Sequence, residues 1–181
     1  DTHTDIPRMK QGGMTAVFFA AYVSTGAIAT HTSAHRALDM IDTIRHDIAE
    51  KHPNDIVFAT TAAAIVNAKK QGKIAALIGV EGGHAIEDDP RILRDFYSLG
   101  VRYMTLTHTK NLSWAGSSGE KDNQGLNALG REVIAEMNRL GMVVDISHVS
   151  DKTFWDVLET SRAPIFASHS SCRALANVPR N

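Results

Sequence analysis

The stretch Lys69-Lys-Gln-Gly72-Lys73-Ile-Ala-Ala-Leu-Ile-Gly-Val80-Glu81-Gly-Gly-His84 decides the fold class. A polar, basic segment closes on a glycine, an unbroken apolar run follows, and that run delivers a carboxylate and then a histidine. Glycine takes the left-handed conformation that ends a helix without steric cost, so Gly72 reads as a helix terminus. A strand apolar along its whole length is covered on both faces, which is the habit of parallel sheets. The same grammar recurs further on. Ser98-Leu-Gly100 precedes Val101–Thr107, Arg139-Leu-Gly141 precedes Met142–Ser147, and Pro164 opens the short run Ile165–Ser168. Upstream, Met14–Val23 reads as a buried strand, and Ile56–Thr60 as another. Between them Ala34, Ala37, Leu38, Ile41, Ile44 and Ile48 keep a 3.6-residue period, with Ser33 placed to cap that helix and Pro53 to stop it. Strands alternating with helices imply either an open doubly wound sheet or a closed (β/α)8 barrel. No glycine-rich phosphate loop follows any strand, which weakens the nucleotide-binding version.

Composition bounds what such a domain can do. The chain has 181 residues, 43% hydrophobic and 22% charged, the profile of one globular domain. Nineteen basic against twenty acidic residues leave a net charge of −1, which gives no reason to expect nucleic acid as a partner. No apolar run approaches the roughly 20 residues of a transmembrane segment. The single cysteine, Cys172, excludes a disulfide framework and any multi-cysteine zinc site. A complete barrel takes about 250 residues and at least about 200, so residues 1–181, which read as a single domain, are too few to close one comfortably.

Chemistry collects where the strands end. Val80 is followed by Glu81, Thr107 by His108, Ser147 by His148 and Ser168 by His169. Parallel-sheet proteins build their sites at the carboxyl ends of strands, because the following loops converge there. One histidine at such an end is ordinarily structural; four metal-capable or acid–base side chains on successive strands are a constellation. Imidazole and carboxylate ligation without thiolates suits zinc or a similar transition metal in a catalytic site. Glu81 is the natural bridge between two metals, which would share a water and hold it as hydroxide beside a substrate carbonyl. His84 is expected to pack or bond locally, while His31, His35, His46 and His52 are expected to be solvated. Glu87–Asp89 fits a helix N-terminus. Asp145, a charge inside an apolar strand, reads equally as a partner of the site or as a satisfied core group.

These motifs resemble the renal (membrane) dipeptidase family of zinc peptidases. The resemblance rests on Leu77–His84, Tyr103–His108, Asp145–Ser150 and Ala167–Ser171, together with Asn111, Trp114 and the closing Pro179-Arg-Asn181. It implies a (β/α)8 barrel of the metal-dependent hydrolase type, two zinc ions per complete site and the hydrolysis of dipeptides. It further implies that Glu81 bridges the metals, that His148 and His169 bind one zinc, and that His108 contacts substrate and steadies the oxyanion. Arg180 falls where the family grips the substrate carboxylate. The family's other zinc sits on a His-x-Asp pair, and His3 and Asp5 share one face of an extended chain. Yet His3-Thr-Asp-Ile-Pro7 is more similar to a family segment just before the second strand that binds no metal. On that reading the first strand lies upstream and the last strands beyond Asn181. The alternatives are another barrel-type amidohydrolase or lactonase, or a catalytically incomplete piece that only binds. An open barrel with unpaired strand edges is also compatible with a homodimer.

Overall fold

The structure, a computed structural model, describes residues 3–181. Its frame is a six-stranded sheet whose pairings are all parallel: β1 (Ala16–Tyr22), β2 (Ile56–Phe58), β3 (Ile74–Glu81), β4 (Val101–Thr105), β5 (Val143–Asp145) and β6 (Ile165–Phe166). The main order is β1-β3-β4-β5-β6, with β2 beside the start of β3. The order runs in one direction without the reversal that a doubly wound sheet needs, as expected for a barrel wall. Register completes the picture. Tyr22 pairs with Glu81, Glu81 with Thr105, Thr105 with Asp145 and Asp145 with Phe166, so one row of side chains crosses five strands at a single level. Side chains alternate along a strand, and this row belongs to the face that also carries Phe18, Gly79 and Tyr103.

The other face carries the main core. Ile78, Val80, Met104 and Val144 pack there with residues of four helices: Ala37 and Ile41 of α3 (Ser33–Asp42), Leu93 and Phe96 of α5 (Pro90–Ser98), Ile134 and Met137 of α6 (Ala128–Leu140), and Val157 of α7 (Asp151–Thr160). The short α1 (Ile6–Gln11) adds Met9 to a second cluster with Ile56, Ile74 and Ala76; α2 (Gly26–Ala29) follows β1. The exception is α4 (Ala62–Lys70), whose Ala68 packs with Ala75 and Leu77, the face that carries Gly79 and Glu81. It therefore floors the concave side at the amino ends of the strands. No helix among the described residues is long and apolar enough to cross a membrane.

Gly72, Gly100 and Gly141 all have positive φ (70°, 103° and 80°), as the three helix ends require. Three expectations need correction. The amphipathic helix is α-helical only to Asp42 and continues as a π-helix over Thr43–Glu50. Its wider turn lets both Ile44 and Ala49 reach the core. Ser33 does not cap it, for it is the first helical residue and is buried, and Thr32 precedes it without a side-chain cap bond. Strands β4, β5 and β6 stop two residues earlier than their apolar runs suggest. For β5 and β6 the cause is a side chain: Asp145 Oδ1 accepts the backbone N–H groups of Ser147 (3.0 Å) and Ser168 (2.9 Å), turning both away from the ladder.

Candidate metal and catalytic site

Because β4, β5 and β6 end in register, equal excursions beyond them reach equal heights. His108, His148 and His169 each lie three residues past the last strand residue, and Glu81 is itself the last residue of β3. The three imidazoles converge on one carboxylate oxygen. Oε1 of Glu81 lies 3.7 Å from Nε2 of His108, 3.5 Å from Nε2 of His148 and 3.3 Å from Nε2 of His169. The Nε2 atoms of His148 and His169 are 2.9 Å apart. Glu81, His148 and His169 each offer a ligand atom within 4.8 Å of the other two, and no other such cluster occurs among the described residues. Two imidazole nitrogens and one carboxylate oxygen fit a divalent transition metal, and three protein ligands with an open position is the pattern of a catalytic site. The donor chemistry therefore fits the metal that the sequence motifs imply.

The backbone is bent to make this possible. His148 has φ 68°, the left-handed region that a non-glycine residue enters only at a cost of about 1 kcal/mol or more. Its carbonyl accepts from the Ser118 amide (2.8 Å), the Thr107 hydroxyl (3.0 Å) and the Ser118 hydroxyl (3.1 Å), three bonds that hold the turn. Gly82, with φ 110°, turns the chain after Glu81. His84 packs into that turn, as expected, but its Nε2 bond is not local: it reaches the Val23 carbonyl just past β1, at 3.0 Å. Asp89 caps α5 through the Arg91 amide.

Electrostatics follow from the crowding. The His148 imidazole beside it, with His169 and His108 adding, holds the Glu81 carboxyl below its usual range against the opposing effect of burial. Burial lowers His108, with His148, His169 and Arg180 acting in the same sense and Glu81 in the opposite one. The ring of His108 stacks against that of His148 at 4.4 Å and meets Tyr22 edge-on at 5.0 Å. Arg180 sits beside the cluster. Its Nη2 donates to the His169 carbonyl at 2.7 Å, while Nη1 is buried without a partner. Burial pulls its guanidinium below the ordinary arginine value, and Asp145 and Glu81 oppose that.

Glu81, His108, His148, His169 and Arg180 are thus brought to one place. His3 and Asp5 are not. Asp5 caps α1, accepting from the Arg8 amide (2.8 Å) and its Nε (2.9 Å), ahead of the amino end of β1. His3 is exposed. Two features were not singled out in the sequence: Tyr22, which alternation along Ala16–Tyr22 could have placed opposite Glu81, and Ser168, whose only signal is its adjacency to His169.

A family model described as membrane dipeptidase (peptidase family M19) matches residues 1–181. "Dipeptidase verJ" of Clonostachys rogersoniana is 39% identical over 99% of this chain and 49% of its own length. "Dipeptidase 3" of Macaca fascicularis is 41% identical over 98% of this chain and 37% of its own. Among solved structures, a metallo peptidase of Rhodobacter sphaeroides, crystallised with a phosphinate mimic of the dipeptide L-Ala-D-Ala, superposes with a TM-score of 0.86 at 30% identity. That match covers all of this chain and 60% of the other. An amidohydrolase from Pseudomonas aeruginosa gives the same TM-score and identity over 97% of this chain and 51% of that one. The chain spans half or less of the curated relatives quoted, and the sheet is correspondingly an incomplete barrel.

Proposed function

Since the chain belongs to the membrane dipeptidase family along its whole length, we propose that it carries the zinc-dependent hydrolysis of dipeptides. The observation that supports this best is the convergence of Glu81, His148 and His169 on a common point. These three would hold one zinc, and Glu81, as a carboxylate with two oxygens, would be shared with the second zinc of a complete two-metal site. Zinc bound there supplies Lewis acidity toward a carbonyl oxygen and a hydroxide nucleophile at neutral pH. His108 lies beside this point, where burial favours the uncharged imidazole, and it would donate one hydrogen bond to a developing oxyanion. Arg180 offers a buried N–H with no partner, the arrangement that a substrate carboxylate would satisfy, and arginine pairs carboxylates through two parallel bonds. A free C-terminal carboxylate is then a condition of binding. The L-Ala-D-Ala mimic held by the Rhodobacter relative makes that dipeptide the first substrate to test.

Glu81→Gln keeps the shape and removes the charge, and turnover of L-Ala-D-Ala should fall at least about a hundredfold. Unchanged turnover would remove Glu81 from the site. Arg180→Ala should raise KM for the dipeptide more than tenfold, the loss of a charge-assisted pair worth about 1.5–3 kcal/mol. The C-terminal amide separates the second reading, which the likeness to the Pseudomonas amidohydrolase favours. A dipeptidase discriminates strongly against the amide, whereas a general amidohydrolase accepts it and is indifferent to Arg180→Ala.

A further inference from the structure

Asp145 is fully buried, and the side chains around it are arranged by direction. Its Oδ1 takes two backbone N–H groups, from Ser147 (3.0 Å) and Ser168 (2.9 Å). Its Oδ2 takes two hydroxyls, from Thr105 (2.6 Å) and Ser168 (2.6 Å). A carboxylate only accepts, so the single proton of the Ser168 hydroxyl is spent on Asp145. The lone pairs of that oxygen then face Nδ1 of His169 at 2.7 Å, and the Ser147 hydroxyl stands 3.4 Å away. A hydroxyl oxygen whose proton is already engaged can only accept from an imidazole. Nδ1 of His169 must therefore carry the ring proton, and Nε2 is left with its lone pair aimed at the cluster, where Nε2 of His148 at 2.9 Å is the donor to it and Glu81 stands 3.3 Å away.

We infer that Asp145 and Ser168 are positioning residues, a carboxylate–hydroxyl–imidazole relay that fixes the tautomer of His169 so that Nε2 is the ligand nitrogen. The inference rests on the metal-binding reading of Glu81, His148 and His169, but the relay itself is a property of the metal-free chain. It also explains the charge in an apolar strand. Asp145 lies level with Glu81 on the concave wall, and the same carboxylate that ends β5 and β6 aims the ligand that follows β6. Outer groups of this kind set ring orientation in metal sites and are worth about 10–100-fold in metal affinity.

The division of labour between the two oxygens makes the relay reversible by one atom. In Asp145→Asn the amide oxygen can keep the two backbone N–H groups, which preserves the turn, while the amide nitrogen stands where Oδ2 was. That nitrogen donates to Ser168, whose proton must then turn toward Nδ1 of His169, and the ring proton moves to Nε2. Ser168→Ala removes the link, and Ser168→Thr keeps it.

The test is nitrogen-15 NMR of the full chain with labelled histidine, metal-free, at a pH about two units above the ordinary imidazole value. Zinc titration of the same samples follows. Wild type and Ser168→Thr should show His169 as the Nδ1–H tautomer. Asp145→Asn should show the Nε2–H form and bind zinc about 10–100-fold more weakly. Ser168→Ala should show a mixture and an intermediate loss. An Nε2–H or mixed tautomer in the wild type overturns the relay without any variant, and so does an unchanged tautomer in a folded Asp145→Asn. A wild type with the Nδ1–H tautomer that fails to bind zinc would leave the relay standing and sink the metal reading instead.

Discussion

A β-carbon at Gly79 would overlap the ring of Tyr103, which lies across this point of the concave wall. Tyr103 is in turn held edge-on by Phe18 (5.0 Å) and Phe166 (5.2 Å), and burial pushes its hydroxyl up to about 12. Gly79→Ala therefore shifts a ring that links β1, β4 and β6, and it should destabilise the chain by about 1–3 kcal/mol, read as a lower denaturant midpoint. Substitution of Gly13, where a β-carbon meets nothing, lacks that clash and bears only its backbone strain (φ 72°). Residues differ in how far the sequence betrays them. Glu81 was legible because a charge closing an apolar run has few structural uses. Gly79 was only one more member of that run, since the ring that needs its missing side chain comes from another strand. The left-handed turn at His148 was invisible for the same reason: its carbonyl is held by Thr107 and Ser118, residues distant along the chain. Asp145 stayed undecided because its four donors come from three strand ends that only the fold assembles.

Helices α5 and α6 are joined by an ion cluster on their outer side. Glu136 of α6 meets Arg94 of α5 at 3.2 Å and Arg139, one turn along its own helix, at 2.8 Å. The Arg139 guanidinium chiefly, with Arg94 adding, holds the Glu136 carboxyl at about 2. The folded value lies below the unfolded one, so this contribution is fully present above the ordinary glutamate value of 4.5 and is lost as pH falls toward about 2. Glu136→Gln should lower stability by about 1 kcal/mol at neutral pH, and the gap from wild type should close between those two values. A gap that persists at pH 2 would mean that packing rather than charge joins the helices. At this scale the six strands and the three glycine-closed helix ends were readable in advance, because glycine stops and apolar runs are local signals, whereas the order of the strands in the sheet was not. The π-helical continuation of α3 was not, since Ile41, Ile44 and Ile48 satisfy a 3.6-residue period whether or not the backbone widens. Nor was the position of α4, whose alanines are neutral about which face of the sheet they cover.

For the whole molecule, the wall presents a single row, Tyr22-Glu81-Thr105-Asp145-Phe166, and on the proposed reading the donors that rise above it would supply ligands for one metal. The other candidate pair is at the wrong end. Asp5 is committed to Arg8 and to the start of α1, and the chain must still traverse the full length of β1 before it reaches the level of Glu81 at Tyr22. A bound zinc needs three or four converging donors, and a carboxylate bridge alone does not retain a second. Dialysed exhaustively and analysed for elements, the 181-residue chain should therefore hold about one zinc, and Glu81→Ala should hold markedly less. A value near two would require donors outside the cluster. His3 and Asp5 are the residues to test next in that event, and Asp5→Asn, which keeps the helix cap through its side-chain oxygen, would tell a lost ligand from a lost helix start.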